Sequence, residues 1–274
     1  MKRDREEVRA YYNQNALMEW ERIGGRPEFL LTCRLLDRLI PDGARVLDLG
    51  GGPGRYSIHL AGRGCDVTLC DLAQENVRLA RVKAAEAGIS IHAVAGDALE
   101  ADSLVEGPFD AVLLMGPLYH LLEEEERDRA MRTALGLLKP GGMFFASFIL
   151  TIADLIYRMK DPEGASVRRL FEGDPAEEEF RRCLLDGRGY AGDAFTRAYF
   201  ADLGEIRPFM ERYPLDGVTL FAQEGILSPC EGGIMALPAE ERTLWLDLAY
   251  ALAERPEYLG WAEHVLAYGR KRSC

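Results

Sequence analysis

The stretch Arg45-Val46-Leu47-Asp48-Leu49-Gly50-Gly51-Gly52-Pro53-Gly54 limits the folds open to this chain more than any other. A short apolar run reads as a buried strand and breaks into four glycines within five positions. Helical spacing follows at Arg55-Tyr56-Ser57-Ile58-His59-Leu60-Ala61. Strand, glycine turn, helix is how an α/β sheet brings backbone amides close to a nucleotide-like ligand. Glycine serves there because a Cβ would block the ligand and because some turn positions need φ > 0. The order is acid-x-Gly-x-Gly-x-Gly, running Asp48, Gly50, Gly52, Gly54. A dinucleotide turn, G-x-G-x-x-G, would put its third glycine at Arg55. The form present suits a ligand without a pyrophosphate.

The flanking sequence alternates strand and helix patterns. Helices are expected over 4–20 and 28–39, strands over 45–49, 65–71, 90–94, 109–115 and 143–150, and helices between them over 54–62, 75–87 and 123–138. Phe109 to Met115 is a near-continuous apolar run, as in parallel strands buried on both faces. Pro140-Gly141-Gly142 reads as a turn. After residue 150 the pattern becomes charged and helical, and it reads as an inserted cap. The sheet is expected to resume from 207–210, with strands at 218–222 and 262–268 and a helix over 240–255. The expected organisation is therefore N-terminal cap helices (1–40), a cofactor-binding Rossmann-like core (41–150), a helical insert or lid (151–205) and C-terminal strands and helix completing the sheet (206–274). The fold class is α/β, with a doubly wound, mostly parallel sheet.

Net charge narrows the partners. With 45 acidic against 33 basic side chains, the balance of −12 repels phosphate backbones and anionic membranes, so neither nucleic acid nor a membrane is expected as a partner. Six cysteines without a C-x-x-C pair read as isolated thiols of a reducing compartment. The charged N-terminus lacks the apolar core of a signal peptide, and no run approaches a membrane span, so a cytoplasmic location is expected. His59, His92, His120 and His264 lack metal spacing with each other or with the cysteines, so no metal is expected. Oligomeric state is not legible.

Candidate site residues follow the strand ends. Asp71 closes the second strand, where a carboxylate can accept from both hydroxyls of a ribose; as a turn residue it would need no ligand. Asp97, in Ala95-Gly96-Asp97-Ala98, could accept from an adenine amino group or simply start a helix. Taken together, Val46–Gly54, Asp71, Gly96-Asp97-Ala98, Phe109-Asp110-Ala111-Val112 and Leu138-Lys139-Pro140-Gly141-Gly142 resemble the class I S-adenosylmethionine-dependent methyltransferases, closest to the type 11, ubiquinone/menaquinone-biosynthesis-like group. The likeness spans roughly residues 40 to 150. It implies a seven-stranded sheet with the last strand antiparallel, S-adenosyl-L-methionine as cofactor, and methyl transfer; the insert at 151–200 and the acidic balance favour a small-molecule acceptor over nucleic acid, with a protein acceptor left open. It also implies cofactor contacts from Asp48, Gly50, Gly51, Gly52, Asp71, Leu72, Asp97, Ala98, Met115 and Gly116. Tyr11, Tyr12 and Trp20 resemble the family's N-terminal lid, where an aromatic face would suit a sulfonium; helix packing is the alternative for each. Arg22 could pair with the methionine carboxylate.

Methyl transfer from a sulfonium is an in-line displacement, so alignment and exclusion of water matter most. A base is needed only for an acceptor whose proton has a high pKa. Gly116-Pro117-Leu118-Tyr119-His120-Leu121 follows the fourth strand beside the expected methyl position. His120 is the candidate base or acceptor-orienting group and Tyr119 a second candidate; a structural histidine is the alternative. Phe195, Tyr199 and Phe200 could line an acceptor pocket or simply pack. Two other functions stand beside methyl transfer: a non-catalytic module that keeps the cofactor pocket, and an NAD(P)-dependent oxidoreductase, which the glycine spacing disfavours.

Overall fold

Strand β1 (Arg45–Leu49) pairs in parallel with β2 (Asp66–Asp71) on one side and β4 (Phe109–Leu114) on the other, and β2 pairs in parallel with β3 (His92–Ala95). A strand paired on both edges and covered on both faces is expected to be apolar, and β1 is so over Val46, Leu47 and Leu49, with the buried Asp48 as the exception. Its side chains alternate between two cores. Leu47 and Leu49 join Val112 and Leu114 on one face, while Val46 joins Ala111 and Leu113 on the other. The computed structural model describes residues 2–193 and 196–273.

Helices α1 (Lys2–Ile23) and α2 (Pro27–Leu39) precede β1. Crossover helices α3 (Arg55–Gly62), α4 (Gln74–Glu86) and α5 (Glu124–Leu137) connect the parallel strands. Strand β5 (Leu138–Leu150) continues the sheet beside β4 and is longer than expected. The Pro140-Gly141-Gly142 turn lies inside it: Phe109 faces Leu138 and Ala111 faces Met143, so the turn bulges out of an otherwise continuous ladder.

Beyond β5 the chain departs from an all-helical insert. Helices α6 (Ile152–Lys160) and α7 (Pro175–Asp186) are followed by β6 (Tyr190–Asp193) and β7 (Arg197–Ala201), an antiparallel pair docked through β7 on the end of β5. Residues 207–210, expected to resume the sheet, belong to α8 (Leu203–Glu211), whose N-cap Asp202 accepts from Gly204 N and whose Ile206 and Met210 face the core. Strand β8 (Leu215–Ala222) is followed by α9 (Glu231–Met235), α10 (Ala239–Leu252) and β9 (His264–Lys271). Strand β9 lies antiparallel between β5 and β8. The order β3-β2-β1-β4-β5-β9-β8 is thus the expected mostly parallel sheet with its last strand antiparallel, and the β6–β7 pair raises the total to nine. Strand order reverses between β1 and β4, which places the crevice for a ligand beyond their carboxyl ends.

Candidate active site

The glycine loop leaves β1 on a hydrogen bond from Gly50 N to Cys70 O (2.7 Å) and closes with one from Gly54 N to Gly51 O (3.0 Å). Gly50 has φ +71°, and a Cβ there would lie 2.5 Å from Pro117 Cδ. The loop after β1 and the loop after β4 therefore touch, and only glycine lets them do so. At Gly51 a Cβ would lie 2.6 Å from Asp48 Oδ2. The expected positive φ holds at Gly50, Gly52 and Gly54, while the close contacts at Gly50 and Gly51 come from neighbouring protein atoms rather than from a ligand. Gly52 has open space in its Cβ direction.

Asp48 sits under this loop, fully buried, and accepts from Ser57 Oγ at the start of α3 (2.7 Å). Burial pushes its pKa up from 3.8 to about 6, against the lowering by Ser57. The folded state therefore binds this proton more tightly than the open chain. Its stabilising contribution is complete below pH 4 and lost as pH rises through about 6. At neutral pH the charge costs up to about 3 kcal/mol. Asp48→Asn is expected to raise the melting temperature at pH 7.5 and to lose that advantage below pH 4; melting curves at the two pH values check it.

Asp71 closes β2 as a hub. It accepts from Gly52 N (2.8 Å), Ala73 N (2.8 Å) and Asn76 Nδ2 (3.1 Å). Burial pushes its pKa up and these three bonds pull it back. Asn76, on α4, was not singled out in the sequence, yet its Oδ1 is buried without a hydrogen-bond partner. Asp97 caps the turn after β3, accepting from Leu99 N (3.0 Å), while its other oxygen accepts from Arg5 Nη1 of α1 (2.8 Å). Arg5 carried no signal in a uniformly charged N-terminus.

Helix α1 covers the crevice. Tyr12 O–H meets His120 Nε2 at 2.8 Å, and Thr196 Oγ1 lies 3.3 Å from His120 Nδ1. Burial lowers the His120 pKa to about 4, against the raising effect of a hydrogen bond with the Arg197 backbone. The imidazole is therefore neutral at pH 7. The Tyr12 hydroxyl donates to Nε2 when the ring hydrogen is on Nδ1 and accepts from Nε2 in the other tautomer. Tyr119, half-buried, packs against the same ring with centroids 4.8 Å apart. Arg22 is taken up by Glu19 (2.9 Å) and Glu28 (3.7 Å).

All fourteen residues expected at the site line one recess: His120, Tyr119, Asp48, Gly50, Gly51, Gly52, Asp71, Leu72, Asp97, Ala98, Met115, Gly116, Tyr12 and Arg22. Its non-atom space is about 1090 Å³ with the open solvent at its mouth included. Tyr11 and Trp20 do not line it. Tyr11 packs edge-on against Tyr12, and Trp20 stacks under the Arg55 guanidinium at 3.6 Å. Tyr199 and Phe200 pack elsewhere: Tyr199 lies under Arg127 (3.9 Å) and donates to Glu205 (2.7 Å), and Phe200 pairs with Ile149. Phe195 and Cys274 lie outside the described residues, and the five described cysteines are free thiols.

Residues 46–142 match the family model described as a methyltransferase domain. The ubiquinone biosynthesis O-methyltransferase of Xanthomonas axonopodis pv. citri (strain 306) is 39% identical over 110 residues, which are 40% of this chain and 45% of that protein. The chain thus spans about half the length of the curated relatives it matches. Among solved structures, the 1,6-didemethyltoxoflavin-N1-methyltransferase of Burkholderia thailandensis aligns with TM-score 0.57 at 16% identity, covering 97% of this chain and 88% of that one. The [4+2]-cyclase SpnF aligns with TM-score 0.53 at 19% identity, covering 90% and 81%. At such identities the structures establish the fold alone. Residues 46–142 are thus similar in sequence to a methyltransferase domain, on a fold shared with these structures. No helix among the described residues is long and apolar enough to cross a membrane.

Proposed function

We propose that the chain transfers a methyl group from S-adenosylmethionine to a small-molecule acceptor. The observation that carries this reading is the unpartnered Asn76 Oδ1 beside the Asp71 carboxylate, in a recess at the β1–β4 reversal. Two acceptor groups side by side fit a vicinal diol, which brings two donors and no charge. The cofactor, when bound, supplies an electrophilic methyl on a cationic sulfur.

In this reading Asp71 and Asn76 hold the ribose, and Asp97 and Ala98 meet the adenine. Gly50, Gly51, Gly52, Leu72, Met115 and Gly116 form the walls, and Asp48 supports the loop from beneath. Arg5 reaches Asp97 from α1, so the helix is drawn shut over the adenine end. Arg22, already shared by Glu19 and Glu28, would bind a methionine carboxylate only in competition with them. Tyr12 and His120 act together: hydrogen-bonded to each other, both line the recess, and His120 is the member of the pair that can take a proton. The names of the curated relatives favour an oxygen acceptor, the acidic balance of the chain favours a metabolite, and the free thiols favour a reducing, cytoplasmic setting.

A non-catalytic or differently catalytic use of the same recess is the second reading, favoured by the fold shared with a protein named as a cyclase. Calorimetric titration with S-adenosylmethionine, S-adenosylhomocysteine, NAD and NADP separates the readings. Micromolar binding of the adenosyl compounds alone is expected. Absence of binding by the folded protein would remove the methyltransferase reading, and methylation of any acceptor would remove the second one.

A further inference from the structure

Behind one wall of the recess, three side chains with metal-ligating atoms converge from distant parts of the sequence. Glu28 belongs to α2, Glu224 follows β8 and His264 opens β9, and one donor atom of each lies within 4.8 Å of the others. We propose that Glu28, Glu224 and His264 form a binding site for a divalent first-row transition ion of the Mn²⁺–Zn²⁺ class, sharing a wall with the acceptor space.

The donor set argues for that class of ion. Two carboxylates and an imidazole suit borderline cations, whereas Ca²⁺ and Mg²⁺ favour oxygen alone. Three protein donors also leave coordination positions for water or another ligand. On an ion with bonds near 2.1 Å, donors can stand no further apart than about 4.2 Å. Small movements of Glu28 and His264, the two half-buried members, close the set.

Charge points the same way. Glu19, Glu28, Glu224, Glu231 and Glu263 are linked through this corner, against the fixed cations Arg22, Arg26 and Lys160. Five carboxylates thus face three permanent positive charges, a deficit that a protonated His264 only partly offsets. Glu224 is fully buried, with one oxygen 2.5 Å from His264 Nδ1 and the other accepting from His264 N at 3.0 Å. Without an ion this contact is a buried ion pair; with one, the metal takes the place of the shared proton.

An independent observation comes from Tyr56. Its hydroxyl is buried without a hydrogen bond of good geometry, although Thr32 stands near enough to lower its pKa, and Glu28 and Glu224 are among the charges that raise it. A phenolic oxygen so poorly paired, in the field of two carboxylates, is suited to a metal-bound water or to the ion itself. Glu28 and Tyr56 both line the recess, which connects the cluster to it. Resting on the methyltransferase reading, a cation here would attract acceptors that carry a hydroxyl or carboxylate oxygen and would make a hydroxyl easier to deprotonate. Spacing among histidines and cysteines could not reveal the site, because two of its three members are carboxylates.

The test is calorimetric titration of the chelator-treated full chain with MnCl2 and ZnCl2, with MgCl2 for comparison. Saturable uptake of one Mn²⁺ or Zn²⁺ is expected, weakened more than about tenfold by Glu28→Gln and by His264→Gln. No saturable uptake, or uptake that Glu28→Gln leaves unchanged, overturns the proposal. Glu28→Gln decides alone if His264→Gln does not fold. S-adenosylhomocysteine titrated into the same preparations tests the methyltransferase reading separately. Nucleoside binding without metal uptake removes only the ion site, and the converse removes only that reading.

Discussion

Asp71→Ala is expected to weaken S-adenosylhomocysteine binding by about 1.5–3 kcal/mol, the range for hydrogen bonds to a charged group. The ribose accounts for only part of the consequence. Asp71 also receives the amides of Gly52 and Ala73 and the side chain of Asn76. Alanine leaves those donors buried and unpaired, at about 1–3 kcal/mol for each that water cannot reach. The melting temperature of the free protein should therefore fall together with cofactor affinity. Asp71→Asn separates the two effects. An amide keeps one accepting oxygen but turns an N–H toward donors, so affinity should fall strongly while volume is preserved. Calorimetry and thermal melting on both variants check this. Unchanged affinity in Asp71→Ala would remove Asp71 from the cofactor site.

What was legible in the sequence was local. The β1 run, the glycines after it and the acids at the ends of β2 and β3 each announce themselves within a few residues, because strand burial and turn geometry are set by near neighbours. Parallel strands buried on both faces read as plain apolar runs, so β1, β4 and most of β5 were found. What was not legible depends on distant chain. Asn76 looks like any polar residue of α4 until Asp71 stands beside it, and Arg5 is one charge among many until α1 folds over Asp97. The β6–β7 pair is too short and too interrupted by glycine and aspartate to show a strand period. Residues 207–210 lie in a helix because Asp202 caps it, a signal available in the sequence and overlooked beside Pro208. The glycines themselves were located correctly for an incomplete reason, since Gly50 is required by Pro117, which belongs to a loop more than sixty residues away.

His120→Ala is expected to lower turnover by about 10²–10⁴-fold, the range for a lost general base, while cofactor affinity stays nearly unchanged. A histidine with a pKa of about 4 looks too weak to deprotonate a phenol or alcohol in its ground state. In-line methyl transfer removes that objection. As the acceptor oxygen gains the methyl it becomes oxonium-like, and its proton becomes far more acidic than that of a free hydroxyl. A weak, always neutral base then suffices, and it is never disabled by protonation near neutral pH. The rate profile should accordingly lack a step near pH 6.5 and fall only as pH approaches 4. Because Nε2 already lies 2.8 Å from the Tyr12 hydroxyl, a proton taken at that nitrogen must either displace the hydroxyl or pass through it. Tyr12→Phe distinguishes these routes: turnover falls if the hydroxyl relays the proton and is maintained if it merely occupies the nitrogen. Equal loss of turnover and cofactor affinity in His120→Ala would instead assign the histidine to holding α1 in place, since Tyr12 and Thr196 both bond to it.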